Sequence, residues 1–144
     1  MIRPFSPVDL PAILRIEKES FPKSPYHWRT FMELYILYPE TFLVFTDKAS
    51  EEEKEKILGY LVYTPEGHII SIAVHPLHRR KGIGRKLIQR AMEDSYQKEL
   101  WAEVRRSNQG AQAFYFQMGF RITGVVPLYY GNEDALIIRW KAPQ

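Results

Sequence analysis

The chain has 144 residues, of which 45% are hydrophobic and 26% charged, and its formal net charge at pH 7 is +3. A chain of this length suits one domain, expected over residues 1–144, and its folding buries roughly 70% of the extended surface. The absence of cysteine excludes disulfides, thiolate zinc sites and thiol nucleophiles. The sequence has neither a bilayer-spanning apolar stretch nor a signal-peptide pattern, so we expect a soluble cytoplasmic protein without a membrane partner.

The first half of the chain predicts a strand, two helices and three further strands. MIRPF is typical of a short strand, and VDLPAILRIEKESF of a helix that Asp9 would cap. HWRTFMELYIL predicts a second helix, ended by Pro39. Three strands are then predicted for TFLVFTD, KILGYLVYT and HIISIAVH. We expect the acidic block EEEKEK, residues 51–56, to form a solvated hairpin loop between the first two of them.

The second half predicts two helices that alternate with strands. IGRKLIQRAMEDSYQ predicts a helix because its apolar residues recur at helical spacing, and ELWAEVR predicts the strand that follows. QGAQAFYFQM predicts a short helix closed by Gly119. FRITGVV and DALIIRW then predict two strands, separated by the turn YYGNED. The order predicts an α/β (α+β) protein with about four helices.

Positive charge is concentrated in RRKGIGRKLIQR, residues 79–90, which holds six cations and no acid, so the rest of the chain carries −3. Gly82 and Gly84 follow a predicted strand and open a predicted helix. Main-chain N–H groups at such a turn can bind an anion, which the helix dipole also favours. A side chain at either glycine would hold a diphosphate away from these amides. The remaining phosphate charge could pair with Arg79, Arg80 and Lys81.

Other interpretations of this segment remain open from the residues alone. The Walker pattern is absent, and Leu87 stands where a dinucleotide fingerprint has its third glycine. A basic nucleic-acid-binding module is the alternative from a different functional class, but the basic residues are few and local, which makes nucleic acid an unfavoured partner. His75 and His78 have H-x-x-H spacing without a third ligand nearby, so no metal site is expected.

Four blocks in order resemble the GNAT N-acetyltransferases. ISIAVHPLHRRKGIGRKL is similar to their acetyl-CoA motif, whose pattern Q/R-x-x-G-x-G/A is met by Arg79, Gly82 and Gly84. AEVRRSNQGAQAFYFQMGF and YYGNEDALII resemble the RimI-like branch, while GHIISIAV and FPKSPYHW resemble archaeal protein N-terminal acetyltransferases. The resemblance implies a GNAT fold: a mostly antiparallel, mixed central sheet, flanked by about four helices, whose strands splay at the acetyl-CoA site.

The resemblance implies that acetyl-CoA is the cosubstrate and that no metal takes part. Main-chain groups of one strand would run beside the pantetheine, namely Ile72, Ala73 and Val74. The diphosphate would lie at the basic turn formed by Arg79, Arg80, Lys81, Gly82, Ile83 and Gly84. Asn108 and Tyr115 would complete the cofactor site.

The implied reaction is direct attack by the α-amino group of a protein or peptide N-terminus in a ternary complex, with ribosomal and nascent chains as candidate acceptors. Glu103 is the candidate base, although a Glu with a pKa near 4.3 is weak at neutral pH and would need desolvation or a relaying water. His68 is its rival or helper. Tyr115 would protonate the CoA thiolate while Phe114 and Phe116 pack. The acceptor groove would be lined by Tyr26, Tyr129 and Tyr130.

The acceptor class has a second enzymatic interpretation. At neutral pH roughly 10% of an α-amino group with a pKa near 7.7–8.0 is neutral, against about 0.04% of a lysine with a pKa near 10.4. This difference favours an α-amine without excluding lysine. Acetylation of lysine ε-amines or of small-molecule amines therefore stays as the alternative. The sequence does not predict an oligomeric state.

Overall fold

A computed structural model describes residues 1–48 and 54–143 of the chain. The described residues form four helices: α1 (Leu10–Ser20), α2 (Trp28–Leu37), α3 (Ile83–Asp94) and α4 (Gln109–Gln117). They also form seven strands: β1 (Ile2–Pro4), β2 (Phe42–Asp47), β3 (Lys56–Tyr63), β4 (Ile69–Val74), β5 (Glu99–Arg105), β6 (Arg121–Val126) and β7 (Ala135–Lys141). Each element overlaps a predicted one. Residues 51–53 of the expected acidic loop lie outside the described residues, and Lys56, its last residue, begins β3.

The strands form two antiparallel ladders that meet at a single parallel contact. One ladder has the order β1-β2-β3-β4 and the other β5-β7-β6. They are joined by one isolated parallel bridge between His68 and Trp101, at which the Trp101 N–H donates to the Gly67 carbonyl at 2.9 Å. The sheet is therefore mixed and mostly antiparallel, as expected. Beyond the bridge, no further pairing joins β4 to β5 in the described part of the chain, so these strands separate.

Each face of the sheet is covered by two helices over its own apolar cluster. One cluster contains Leu87, Tyr115 and Phe120 and packs α3 and α4 against the sheet. The other contains Ile13 and Phe31, from α1 and α2. Full burial of such side chains contributes about 1.5–3 kcal/mol each, so the clusters fix both helix pairs on the sheet. Along β5, burial alternates, with Leu100, Ala102 and Val104 in the first cluster and Glu103 therefore directed toward the opposite face.

Two local predictions were wrong. Asp9 stands at the N-cap position of α1, but its side chain makes no capping hydrogen bond to the helix, because a 3-10 turn at Pro7–Asp9 precedes it and the carboxylate accepts the Ser6 N–H at 2.9 Å. The same carboxylate pairs with the Arg3 guanidinium at 2.8 Å. The third helix ends at Asp94, short of the predicted Gln97, because Ser95 takes an extended conformation and its hydroxyl donates to the Glu99 carbonyl at 3.2 Å.

Candidate active site

A cleft of about 1110 Å³ opens where β4 and β5 separate. Its walls are formed by β4, the first turn of α3, the second half of β5 and one side of α4. The segment between α1 and α2 closes one end of it through Tyr26. A parallel pair with only one bridge leaves main-chain groups of β4 unpaired along the cleft, where an extended ligand can bind them.

The basic turn places open amides at the cleft. Arg80 and Gly82 have positive φ angles of 65° and 81°, and the chain then enters α3 at Ile83. The first helical bond runs from the Lys86 N–H to the Gly82 carbonyl at 3.0 Å, and Gly82 provides no side-chain cap. The amides of the first turn before Lys86 are therefore available to an anion at the positive end of the helix dipole.

The two glycines serve different purposes in the structure. A Cβ at Gly82 would meet no atom within 4 Å, but its left-handed φ favours glycine. A Cβ at Gly84 would lie 3.3 Å from the ring of Phe114, so this glycine lets α3 approach α4 closely. The sequence interpretation, in which both glycines only made room for a diphosphate, missed the φ requirement and the helix contact.

The cations of the turn are not equivalent. Arg79 ties the turn to its surroundings, because its guanidinium donates to the Val74 carbonyl and to the Ser20 hydroxyl, each at 3.1 Å. Arg79, Arg80 and Arg85 border the cleft, whereas Lys81 does not, and its ammonium lies 3.2 Å from Nδ1 of His78. Arg85, which the sequence analysis left unassigned, therefore adds a cation to this end.

Glu103, which borders the cleft, forms a hydrogen-bonded pair with His68. His68 Nε2 lies 2.8 Å from Glu103 Oε2, and the side chains are 29% and 17% exposed. The His68 ring is stacked on Trp101 with 3.9 Å between ring centroids, which holds its orientation. Burial raises the pKa of Glu103, but the hydrogen bond and charge of His68 outweigh it and lower that pKa overall. Glu103 is therefore ionised at neutral pH, opposite to the upward shift that desolvation alone would give.

The structure places two of the three predicted acceptor tyrosines at the cleft. Tyr26 and Tyr130 border the cleft, whereas Tyr129 is exposed beside Tyr130 with 4.9 Å between their ring centroids. Tyr130 is held by the Arg105 guanidinium, which lies 4.1 Å from its ring centroid. Burial, followed by the charges of neighbouring groups, raises the pKa of Tyr130 to about 12, so its hydroxyl stays protonated. Arg105 is itself paired with Glu133 at 3.3 Å.

The α4 wall carries Tyr115 and Asn108. Tyr115 is 5% exposed, packs edge-on against Phe120 and borders the cleft, and burial raises its pKa well above the usual range. Asn108 caps α4, because its Oδ1 accepts the Ala111 N–H at 3.0 Å. Phe114 packs on the core, but the prediction that Phe116 also packs was wrong. Phe116 is 38% exposed, since three successive helical residues point 100° apart and cannot share one face.

Comparison with known proteins identifies this arrangement. Residues 10–120 match the acetyltransferase (GNAT) family. The chain belongs to the GNAT acetyltransferase family. It is 36% identical to an uncharacterized N-acetyltransferase of Methanocaldococcus jannaschii, over 99% of this chain and 92% of the relative. An N-alpha-acetyltransferase of Sulfurisphaera tokodaii is 30% identical, over 90% of this chain and 86% of the relative. The crystal structure of Ard1 from Thermoplasma volcanium superposes with a TM-score of 0.86 and 28% identity, over 100% and 98% of the two chains.

These matches confirm the GNAT fold and the N-acetyltransferase class that the four sequence blocks indicate. Within the described ranges of this GNAT protein, no helix has the length and apolarity needed to cross a membrane. His75 and His78 have ring centroids 5.4 Å apart, and residues 1–48 and 54–143 contain no group of three or more side chains placed to hold a metal ion.

One buried residue of the GNAT cleft escaped the sequence analysis. Glu17 borders the cleft from α1 and is only 2% exposed. Only its position in the sequence could have indicated that Glu17 is buried. It follows the core residue Ile16 and lies four residues after Ile13, which places it on the apolar side of a helix. A carboxylate at that spacing is normally assigned to the edge of the helix, exposed to solvent.

Proposed function

We propose that the protein transfers the acetyl group of acetyl-CoA to the α-amino group of a protein or peptide N-terminus within a ternary complex. The division of charge along the cleft carries this proposal. Open amides and three arginines lie at the α3 end, where they suit an anionic cofactor. The other end of the cleft is bordered by an ionised Glu103, by Tyr26 and Tyr130, and by Arg105, whose charge is paired with Glu133. The Glu103 carboxylate and the aromatic rings there suit a cationic amine before it reacts.

The chemistry of the α3 end suits acetyl-CoA. The amides between Arg80 and Gly84 would bind the diphosphate, and the free edge of β4 from Ile72 to Val74 would pair with the amides of the pantetheine. The Asn108 side chain uses its oxygen for the helix cap, which leaves its NH₂ group to donate to the pantetheine arm. Acetyl-CoA supplies a thioester whose carbonyl carbon accepts the amine.

The side chains divide the proton transfers between them. The neutral amine nitrogen would attack the thioester carbon, a C–N bond would form and the C–S bond would break. The proton released by the amine would pass to Glu103, directly or through water. Because an ionised Glu103 accepts a hydrogen bond, Nε2 of His68 carries the hydrogen between them, so His68 stabilises the carboxylate and is not itself the acceptor at that atom. Tyr115 would give its proton to the departing thiolate and regain one from solvent.

The lowered pKa of Glu103 favours an α-amine over a lysine. A base that is weak at neutral pH can serve an acceptor that is already roughly 10% neutral, but it gives little help to one that is about 0.04% neutral. The S. tokodaii relative is named for the same acceptor class. Acetylation of lysine ε-amines or of small-molecule amines is the alternative, and the following experiment distinguishes it from acetylation of α-amines.

The experiment is acetylation of a peptide library varied at its first two positions, with mass spectrometry to locate the acetyl group. We expect acetylation of the α-amine only, and no reaction of peptides that have a blocked N-terminus and an internal lysine. Rapid acetylation of those blocked peptides, or of small amines alone, would overturn the proposal.

The glycine turn gives a first mutational prediction. Gly82→Val should weaken acetyl-CoA binding about tenfold, because a strained left-handed residue costs about 1–3 kcal/mol and displaces the amides as the turn relaxes. Gly84→Val should weaken binding and also lower the thermal midpoint, because its side chain meets Phe114. Calorimetry of acetyl-CoA binding measures the first effect.

Gly119→Val is the matched control, since Gly119 has a φ of 95° but lies outside the cleft. It should lose stability and keep its affinity for acetyl-CoA. Folded Gly82→Val and Gly84→Val proteins with wild-type affinity would refute the assignment of the turn.

A second prediction concerns the acceptor end. Tyr130→Ala should raise the peptide KM about tenfold, because it removes a held aromatic wall, while the Kd for acetyl-CoA stays within about twofold. Steady-state kinetics and calorimetry separate the two ligands. An equal loss for both would show damage to the fold, and an unchanged peptide KM would remove Tyr130 from the acceptor site.

A further inference from the structure

Glu17 is a buried carboxylate with only neutral partners. Its Oε2 accepts the Tyr26 N–H at 2.9 Å, and its Oε1 accepts from the Tyr60 hydroxyl and, at 3.4 Å, from the Ser71 hydroxyl. Burial and the charge of Glu17 raise the pKa of Tyr60 far above its usual value, so Tyr60 remains a donor. In the described part of the chain, no Lys, Arg or His forms an ion pair with Glu17.

Such a group does not add stability by itself. Removal of a carboxylate from water is costly, and hydrogen bonds from neutral groups offset this cost only in part. An apolar side chain at the same place on α1 would pack against Ile13 and the core without that cost. The presence of a carboxylate here is therefore better explained by the elements that its hydrogen bonds join.

The three donors come from the three elements that surround the acceptor end of the cleft. Tyr60 belongs to β3 and Ser71 to β4, both parts of the regular sheet. Tyr26 belongs to the segment between α1 and α2, which has no helix or strand and is exposed throughout residues 21–27. Glu17 thus joins an irregular, exposed segment to the rigid sheet at the point where Tyr26 borders the cleft.

We propose that Glu17 is a positioning residue that holds the α1–α2 segment, and with it Tyr26, as the wall of the acceptor site. The expected effect on peptide KM rests on the proposed function, whereas the expected ordering of the α1–α2 segment does not. The Tyr26 ring also packs edge-on against Phe31, with 5.8 Å between ring centroids, but Glu17 contributes the hydrogen bond to the Tyr26 main chain. For that bond an acceptor oxygen at this position matters more than the negative charge.

Two variants separate the acceptor oxygen from the charge. Glu17→Ala removes every acceptor and should raise the peptide KM about tenfold, the effect of roughly one lost hydrogen bond to a charged group, with the Kd for acetyl-CoA within about twofold. Glu17→Gln should keep the peptide KM within about threefold, because its amide oxygen can accept the Tyr26 N–H and its NH₂ can donate to Tyr60. Glu19→Ala, an exposed carboxylate on the same helix, is the control and should change neither constant.

Amide hydrogen exchange tests the same contact without catalysis. The Tyr26 amide of the wild-type protein should be protected relative to that of the neighbouring Ser24, and Glu17→Ala should remove this protection while Glu17→Gln keeps it. An unprotected Tyr26 amide in the wild type overturns the proposal. This outcome is measured on the wild-type protein alone and does not depend on whether any variant folds. Equal losses of peptide and acetyl-CoA binding in Glu17→Ala without rescue by Gln would also overturn it, by showing a general loss of structure. If the wild type fails to acetylate α-amines, the proposed function fails, and the exchange result still decides the role of Glu17.

Discussion

Replacement of Glu103 with Gln is expected to lower kcat for peptide acetylation about 10²- to 10⁴-fold, the usual value of general-base assistance, and to leave acetyl-CoA binding intact. Gln keeps the size and can still accept a hydrogen bond from His68, so the loss reports the missing base. The loss should be smallest at high pH, where the amine arrives neutral. Steady-state kinetics between pH 6 and 10, with calorimetry of acetyl-CoA binding, provide the measurement.

The lowered pKa of Glu103 fixes the sign of the pH profile. The carboxylate is the basic form, and it is present at every pH above its depressed pKa. Glu103 therefore sets no acidic limb near neutral pH, and the limb in kcat/KM should follow the acceptor ammonium, near pH 7.7–8.0. A wild-type kcat retained by Glu103→Gln at pH 7 would contradict the assignment and return Glu103 to a structural role.

His68→Phe provides the matched variant, because its ring can still stack on Trp101 but cannot bond Glu103. The variant removes the hydrogen bond and the charge of His68, which lower the pKa of Glu103. That pKa should therefore rise, because burial still acts on the carboxyl group. The limb set by the acceptor ammonium should stay in place, a further loss of activity should appear on its acid side where Glu103 becomes protonated, and kcat on the plateau should fall less than in Glu103→Gln. A larger plateau loss in His68→Phe than in Glu103→Gln would make His68 the base.

The order of elements and the glycine turn into α3 could be predicted from sequence because their signals are local. Apolar spacing fixes α3, and the pair Gly82 and Gly84 marks a turn into it within a few residues. The acceptor end is different, because its parts are distant along the chain. Glu103 and His68 are 35 residues apart, and they meet through a single bridge that no periodicity indicates.

The errors have the same physical origin. Asp9 is a good capping residue by type, but Arg3 and the Ser6 N–H bind its carboxylate in the folded chain. Glu17 looks like an ordinary helical carboxylate until Tyr26, Tyr60 and Ser71 are brought to it by three other elements. The lowered pKa of Glu103, for which the sequence analysis made no prediction, likewise depends on a distant partner, His68, because burial alone would raise that pKa.

Tyr115→Phe is expected to lower kcat about 10²-fold or more, because the thiolate would leave without a proton donor. Tyr115 borders the cleft, and its hydroxyl makes no hydrogen bond to another described residue, which leaves its proton free to be given to a ligand that reaches it. Loss of an unpaired hydroxyl should not lower the thermal midpoint, and acetyl-CoA should bind with a Kd within about threefold of the wild type. Steady-state kinetics, calorimetry and thermal unfolding of the same preparations measure the three quantities.

The raised pKa of Tyr115 adds a pH test and a control. A proton donor acts in its protonated form, and burial keeps that form populated beyond the ordinary tyrosine pKa of about 10, so wild-type kcat should show no basic limb below about pH 10. Tyr63→Phe makes the same chemical change at a buried tyrosine of the same apolar cluster, away from the cleft, and should leave kcat unchanged. A Tyr115→Phe protein that retains wild-type kcat across this range would show that the thiolate leaves unaided or is protonated by water, and Tyr115 would then be a packing residue of α4.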